Sequence, residues 1–413
     1  MTPTSLYSEL HNACFFYPAI DNHAHPILTE EHRDRFALEG LISEAQGSAL
    51  TVDSVHTLAC MRAVSQLGTV LKIQDSTWDS VKAARAQLAY PDLCNLFMHH
   101  TTTGIQCILL DDGLGGVGDF AEEFRWHDKF TSSPTKRIVR VEIVAEDILK
   151  SLFKSPTTTD TVSIFNSFNA ILKESLTNSA NDENVVGFKS IACYRTGLDV
   201  LPSADSDEDI LACLRDVLKT LQETGTIRLA HKAFNDHIVR MALLVAGKHR
   251  KPVQFHTGLG DNDITLTRSS PSHLQATIKA YPNTDFVLLH SSYPFTRSAG
   301  YLTAVYANVY LDFGEIFPFV SGEGQRAIIR QVLELCPTNK ILWSTDGHWW
   351  PESYYLGTIQ ARQALYAVLS DVVTSGEMTE SAAVTVVQNA FFHNSNKLYN
   401  LGLSPDLAIF ERK

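Results

Sequence analysis

Eight short apolar runs recur along the chain, and the stretches between them carry helical periodicity. The runs cover residues 19–25, 104–110, 137–144, 185–191, 252–256, 285–290, 309–313 and 340–346. Strands that alternate with helices pair in parallel, and eight of them predict a (β/α)8 TIM-type barrel of the α/β class. The runs at 252–256, 285–290 and 340–346 are nearly continuous in apolar residues, as expected of strands buried on both faces. Helical spacing appears at Leu6–Phe16, 147–180, Asp236–Gly247, Leu356–Leu369 and Glu380–Leu401. Ser206-Asp207-Glu208-Asp209 gives a capping-box start to a helix that runs to about Leu221.

A barrel of this kind takes about 250 residues, and the chain has 413. The excess falls in two places. Residues 28–100 form a mainly helical insertion after the first strand, with apolar spacing near 3.6 in Val55–Leu71 and Trp78–Leu88. The terminal helices account for the remainder. No linker or repeat divides 1–413, so one barrel domain with an elaboration is expected.

Composition narrows the function classes. At 44% hydrophobic the chain can bury a large core, and its net charge of -12 argues against nucleic acid as a partner. The first twenty residues lack a basic segment followed by an apolar one, and no run of about 18 apolar residues exists, so neither a secretory leader nor a membrane span is expected. Seven cysteines without a C-x-x-C pair read as reduced thiols of a cytoplasmic protein. The glycines from Gly113 to Gly118 are too irregular for a phosphate loop.

Active sites of such barrels lie at the C-terminal ends of the strands. His23 and His25 end the first strand on one face, because residues two apart in a strand point the same way. Lys189 lies in the fourth strand, His256 ends the fifth, His290 the sixth and Asp346 the eighth. An H-x-H pair alone reads equally well as ordinary polar residues at a strand end. The series as a whole is what a catalytic metal site needs: nitrogen and carboxylate ligands with an open position. Metal-bound water loses its proton near neutrality, and Asp346 is the candidate to accept it.

The motifs that carry these residues are Asp21-Asn22-His23-Ala24-His25, Gly187-Phe188-Lys189-Ser190 with Tyr194-Arg195, Gln254-Phe255-His256-Thr257-Gly258, Leu289-His290-Ser291-Ser292-Tyr293-Pro294 and Ser344-Thr345-Asp346-Gly347-His348. Together they resemble the amidohydrolase superfamily, in its amidohydrolase-related branch. More closely, the chain resembles the metal-dependent hydrolase domain that precedes a glutamine-synthetase-like domain in FluG-type and nodulin-type fusion proteins. The resemblance implies that His23, His25, His256 and Asp346 hold a divalent metal, with zinc suited best and manganese or iron tolerable. It further implies that His290 polarises substrate or water in mononuclear members and binds a second metal in binuclear ones. In the latter a carboxylated lysine at the position of Lys189 bridges the pair. The alternative for Lys189 is a buried ammonium paired with a carboxylate; one metal, with Lys189 and His290 as catalytic groups, is the expectation adopted.

Further candidates surround this set. Arg195 reads as a clamp for a substrate carboxylate or as a structural ion pair. His127, beside Trp126 in a long loop, reads as pocket-lining or merely solvated. Trp349, with His348, Trp350 and Tyr354, reads as a pocket wall or as packing of the last helices. Glu142 is expected in the third strand in a structural role, and His99 and His100 precede the second strand at the end away from chemistry. The expected function is hydrolysis of an amide bond in a small molecule, of γ-glutamyl type by analogy with the fusion partner of relatives. A non-oxidative decarboxylase or sugar-acid isomerase on the same site is the alternative, and a catalytically silent scaffold a third.

Overall fold

The structure is a computed structural model that describes residues 6–154, 160–203 and 206–411. Eight parallel strands follow one another around a barrel in chain order: β1 (Ala19–Ala24), β2 (Ile105–Asp111), β3 (Lys136–Arg140), β4 (Val185–Ser190), β5 (Val253–Phe255), β6 (Phe286–Leu288), β7 (Val309–Asp312) and β8 (Ile341–Leu342). The expected (β/α)8 barrel is thus the observed one. Seven regular ladders join neighbours from β1 to β8. Individual backbone bonds complete the ring between β8 and β1: Asn22 N to the Trp343 carbonyl at 3.2 Å, Asp346 N to that of His23 at 3.0 Å, and His25 N to that of Gly347 at 2.7 Å. The seam is irregular because β1 is bulged between Asp21 and Ala24. The eighth strand, expected over 340–346, is regular over Ile341–Leu342 only.

One boundary differs in a way that matters. The third strand does not run to Val144. It ends at Arg140, and the helix Val141–Lys154 begins at once. Glu142 therefore sits in the first turn of that helix. It is fully buried and accepts hydrogen bonds from Ser190 Oγ at 2.7 Å and Ile191 N at 3.1 Å, which fixes the exit of β4. The rest of the helix expected over 147–180 is observed as Thr161–Asn181, and residues 155–159 lie outside the described part. Ser206 caps the helix Asp207–Thr224 by accepting from Asp209 N at 3.1 Å, as its sequence implies.

The insertion between β1 and β2 holds the helices Leu58–Val70, Trp78–Gln87 and Tyr90–Met98, joined by short 3-10 and π turns. Thr57 caps the first of them, and Thr77 and Ser80 form a reciprocal capping box on the second. A buried ion pair, Arg85 Nε to Glu352 Oε1 at 2.6 Å, ties the insertion to the long helix Pro351–Thr374. No helix among the described residues is long and apolar enough to cross a membrane. All seven cysteines are unpaired.

The lower barrel interior is filled by Ile20, Cys107, Leu109, Ile138 and Val186, with Phe392 and Tyr399 inserted from the C-terminal segment. Gly187 makes room for this plug: a Cβ there would lie 3.0 Å from the Pro252 carbonyl and 3.4 Å from the Tyr399 ring. The Tyr399 hydroxyl reaches the middle of the barrel. It donates to Asn22 Oδ1 at 3.0 Å and accepts from Gln254 Nε2 at 2.8 Å. Removing a hydroxyl that serves two buried groups leaves both short of a partner, at a cost of about 1–3 kcal/mol. Tyr399→Phe is expected to destabilise the fold by that amount in denaturant unfolding; a loss below about 0.5 kcal/mol would show that water or relaxation replaces the hydroxyl.

Candidate metal centre and active site

The centre is built from tautomers. Gln254 Nε2 is committed to the Asn22 carbonyl at 2.7 Å and to Tyr399, so its Oε1 faces His23. That oxygen only accepts, so His23 Nδ1, 2.8 Å away, carries the proton and Nε2 is bare. His25 is set in the same way, with Nδ1 donating to the Asp111 carbonyl at 2.8 Å. Both bare nitrogens converge on Asp346 Oδ1, at 3.4 Å for His23 and 3.3 Å for His25.

Asp346 is turned inward by the barrel seam. Its own N–H bonds His23, and the preceding Thr345 bonds Asp21 through both its N–H, at 2.8 Å, and its hydroxyl. The residue takes a left-handed φ of 52°. His290, Ser291 and Ser292 at the β6 exit, and Glu315 beyond β7, also have positive φ. Non-glycine residues in this region are strained and persist where the surroundings hold them. Here the strain is gathered at the ends of three consecutive strands around one point.

The centre has unmet valence. Asp346 Oδ1, both ring nitrogens of His290 and Glu315 Oε2 are buried and make no hydrogen bond. Two imidazole lone pairs and a carboxylate oxygen repel unless a cation lies between them, so the donor set fits a divalent metal. Two clusters of metal-ligating geometry share His23: one with His290 and Asp346, the other with His25 and Asp111. Asp111 is already engaged, because its Oδ2 holds Arg140 Nε at 3.0 Å and Nη2 at 2.7 Å. The donors that remain are His25, Asp346 and His290, together with His23, whose Nε2 meets the Lys189 amine at 3.2 Å.

Charge inside the barrel follows burial. Burial, then the Lys189 cation, holds His23 well below the ordinary imidazole range. His256 is depressed by the same two causes, and His290 by burial and then by His256. All three are neutral, as ligation requires. Lys189 Nζ lies 3.2 Å from His23 Nε2, and burial draws its amine down to about 8. Glu315, 3.3 Å from His290 Nδ1, is pushed well above the carboxylate range by burial and by Asp346.

The centre opens into a cavity of about 280 Å³. Lys189, Arg195, His256, His290, Asp346 and Trp349 all line it. His256 and His127 are placed differently from the other candidates. His256 lines the cavity beside His290 but stands outside the two compact clusters that share His23. The loop after β5 folds back so that its Nε2 meets the Leu259 carbonyl at 2.6 Å, and its ring packs between Tyr194 and His290, each 4.3 Å away. His127 is neither solvated nor in the cavity: it is fully buried, with Nδ1 on the Glu123 carbonyl at 3.1 Å and Nε2 accepting from Ile27 N at 3.3 Å. Arg195 combines both of its readings, since it lines the cavity and lies 3.9 Å from Glu146. The tryptophan pair divides: Trp349 lines the cavity, whereas Trp350 is buried against Gly40.

Sequence reasoning passed over the roles of Arg140, Glu315 and Gln254. Arg140 ends β3 and lines the cavity, but a strand expected to continue to Val144 hid its position. Glu315 stands three residues past the end of β7, the kind of strand-exit position that marked the other candidates.

Comparison with known proteins agrees with this geometry. A family model described as Amidohydrolase matches residues 218–401, which span β5 to β8. Protein fluG of Emericella nidulans is 44% identical over 418 residues, covering 97% of this chain and 48% of that protein. Over residues 218–401 the chain matches the amidohydrolase family. It spans about half the length of this curated relative. Among solved structures, a Lactobacillus casei protein provisionally assigned as a metal-dependent hydrolase matches with a TM-score of 0.78 at 24% identity, over 95% of this chain and 97% of that one. A uronate isomerase from Bacillus halodurans matches with a TM-score of 0.64 at 14% identity, over 96% of each. These likenesses establish the barrel fold.

The Asp111–Arg140 pair separates scaffold from chemistry. Both side chains are buried, and removing one leaves the other uncompensated, which costs about 3–5 kcal/mol. Arg140→Met is expected to lower unfolding stability by that amount, whereas Arg140→Met combined with Asp111→Leu recovers most of it. A double variant as unstable as the single one would show that the pair is not the source of the loss.

Proposed function

We propose that the chain is a metal-dependent hydrolase that cleaves an amide C–N bond in a small, carboxylate-bearing molecule of γ-glutamyl type. The observation that carries this reading is the convergence of the bare Nε2 atoms of His23 and His25 on the unpartnered Oδ1 of Asp346 at the barrel mouth. His23, His25 and Asp346 would hold one divalent ion, best zinc, with His290 beside them. When bound, that ion supplies an acidic water and an electrophile for the scissile carbonyl.

The chain's own groups do the remaining work. Asp346 accepts a proton from the attacking water and returns it to the departing nitrogen. His290, neutral and without a hydrogen bond, donates to the carbonyl oxygen as charge develops there. Lys189 remains an unmodified amine close to His23 and adds positive potential next to the reacting carbonyl. Arg140 and Arg195 bring positive charge to the same wall, and Arg195 is the one free to take a substrate carboxylate, because Arg140 is held by Asp111. Support for a carboxylate-bearing substrate comes from this cationic wall, and the γ-glutamyl type is carried over by analogy with the fusion partner of the domain the sequence resembles.

An isomerase of sugar acids is the second reading, favoured by the match to uronate isomerase along nearly the full length of both chains. The two differ in product. On γ-glutamyl amides the chain is expected to release amine, and Asp346→Asn is expected to lose at least about a hundredfold in rate without loss of fold. Interconversion of a uronate with no amine release from any amide would replace the hydrolase with the isomerase. Near-normal turnover by Asp346→Asn would remove Asp346 from proton transfer.

A further inference from the structure

Three aromatic rings, each from a different segment, pack together, and one of them, Trp349, lines the cavity. Phe36 comes from the insertion after β1, Phe120 from the loop after β2 and Trp349 from the loop after β8. The ring centroids form a triangle: 5.2 Å from Phe36 to Trp349, 5.7 Å from Phe120 to Trp349 and 5.9 Å from Phe36 to Phe120. Rings that only joined the insertion to the barrel would be buried. Instead Phe36 is 38% exposed, and Leu114, which lines the cavity with Trp349, is 36% exposed.

The backbone holds this cluster in place at some cost. A short ladder crosses the segment after His25: Trp349 N to the Pro26 carbonyl at 3.2 Å, Leu28 N to that of Trp349 at 3.0 Å, Glu122 N to that of Ile27 at 2.9 Å, and Thr29 N to that of Phe120 at 2.9 Å. Trp349 takes a left-handed φ of 52°, which a bulky residue rarely accepts. Gly116 provides the seat for Phe120, since a Cβ there would fall 2.3 Å from its ring. Arg35 lies over Phe120 at 4.2 Å from the centroid. A strained tryptophan and an obligatory glycine keep partly exposed rings at the entrance of a polar cavity. Exposed apolar surface that is held rigid in this way marks a binding surface.

The position says what it binds. The cations Arg140, Lys189 and Arg195 belong to β3, β4 and the segment after β4, whereas the rings belong to the loops after β8, β1 and β2. A substrate whose carboxylate lies on the β3–β4 sector directs the other side of its scissile bond toward the rings. Phe120 and Phe36 are tilted by 48° and 41° from Trp349 and meet each other edge-on at 80°, so the three form a faceted apolar face rather than a parallel stack. We infer that this rim is a subsite for a flat aromatic group on the amine side of the scissile amide, so that the natural substrates are amides of aryl or arylalkyl amines. The inference rests on the amide-hydrolase reading for the word "amine", whereas the aromatic subsite itself stands on the rim geometry.

The test separates the two. Ligand-observed saturation-transfer NMR on the full chain uses aniline and methylamine as probes, with no turnover needed. Aniline is expected to give a signal and methylamine none. Trp349→Leu and Phe120→Leu, which keep apolar bulk, are each expected to weaken aniline binding about fivefold to tenfold, with thermal unfolding compared in parallel. An aniline signal that survives unchanged in both variants, or that methylamine matches, overturns the subsite. Hydrolysis of γ-glutamyl anilide against γ-glutamyl methylamide then reads the amine side: the anilide is expected to win in kcat/KM, and the ratio to fall about tenfold in Phe120→Leu. Failure to cleave either amide counts against the hydrolase reading and leaves the NMR result to decide the subsite. Equal cleavage of both overturns the assignment of the rim to the leaving amine.

Discussion

The side-chain amide of Gln254 sets the chemistry of this barrel. Its nitrogen is held by the Asn22 carbonyl and the Tyr399 hydroxyl, so its oxygen can face only His23. One orientation of one amide therefore decides which nitrogen of His23 carries the proton and which is free to bind a metal. The network extends from Asn22 to Asp312 at 2.6 Å, and Asp312 in turn accepts from Ser344 Oγ at 3.0 Å and His290 N at 3.3 Å. Residues of β1, β5, β7 and the β6 and β8 exits thus share one buried hydrogen-bond system below the site. Partners of this kind orient the ligands and are as much a part of a metal site as the ligands themselves.

The same network explains how a barrel interior tolerates so many ionisable groups. A buried charge is costly unless paired, and a buried polar atom unless bonded. Asp111 is paired with Arg140, Glu142 with the β4 exit and Asp21 with Thr345. Several groups without such partners meet at the barrel mouth. Asp346 Oδ1, Glu315 Oε2 and the His290 ring lack hydrogen bonds, and they surround the two bare histidine nitrogens. Two ring nitrogens and two carboxylate oxygens left without hydrogen bonds around one point form a centre suited to receive a ligand.

Much of this was legible in the sequence, because barrels write their strands as short apolar runs and their sites at strand ends. His23, His25, Lys189, His290 and Asp346 are all found at the mouth for that reason. What escaped depends on backbone direction after the strand ends. His256 sits at the expected height, yet the turn at Leu259 takes its Nε2. The early start of the helix at Val141 brings Arg140 to the cavity and withdraws Glu142. His127 looked like a solvated loop residue, but its loop folds onto Ile27. Trp349 and Trp350 are adjacent and chemically identical, and only the left-handed turn at Trp349 sends one to the cavity and the other to the core. The rim aromatics Phe36 and Phe120 belong to no strand end, so no periodicity could mark them.

The central claim is that the network turns Nε2 of His23, Nε2 of His25 and the carboxylate of Asp346 toward a single cation, with Lys189 left unmodified. The most direct measurement is anomalous scattering from crystals of the zinc-loaded chain. The account predicts one ion per chain, bonded to Nε2 of His23, Nε2 of His25 and a carboxylate oxygen of Asp346, with no added density on the Lys189 amine. Two ions joined through a modified Lys189, or an ion elsewhere with His23 and His25 uncoordinated, would contradict it.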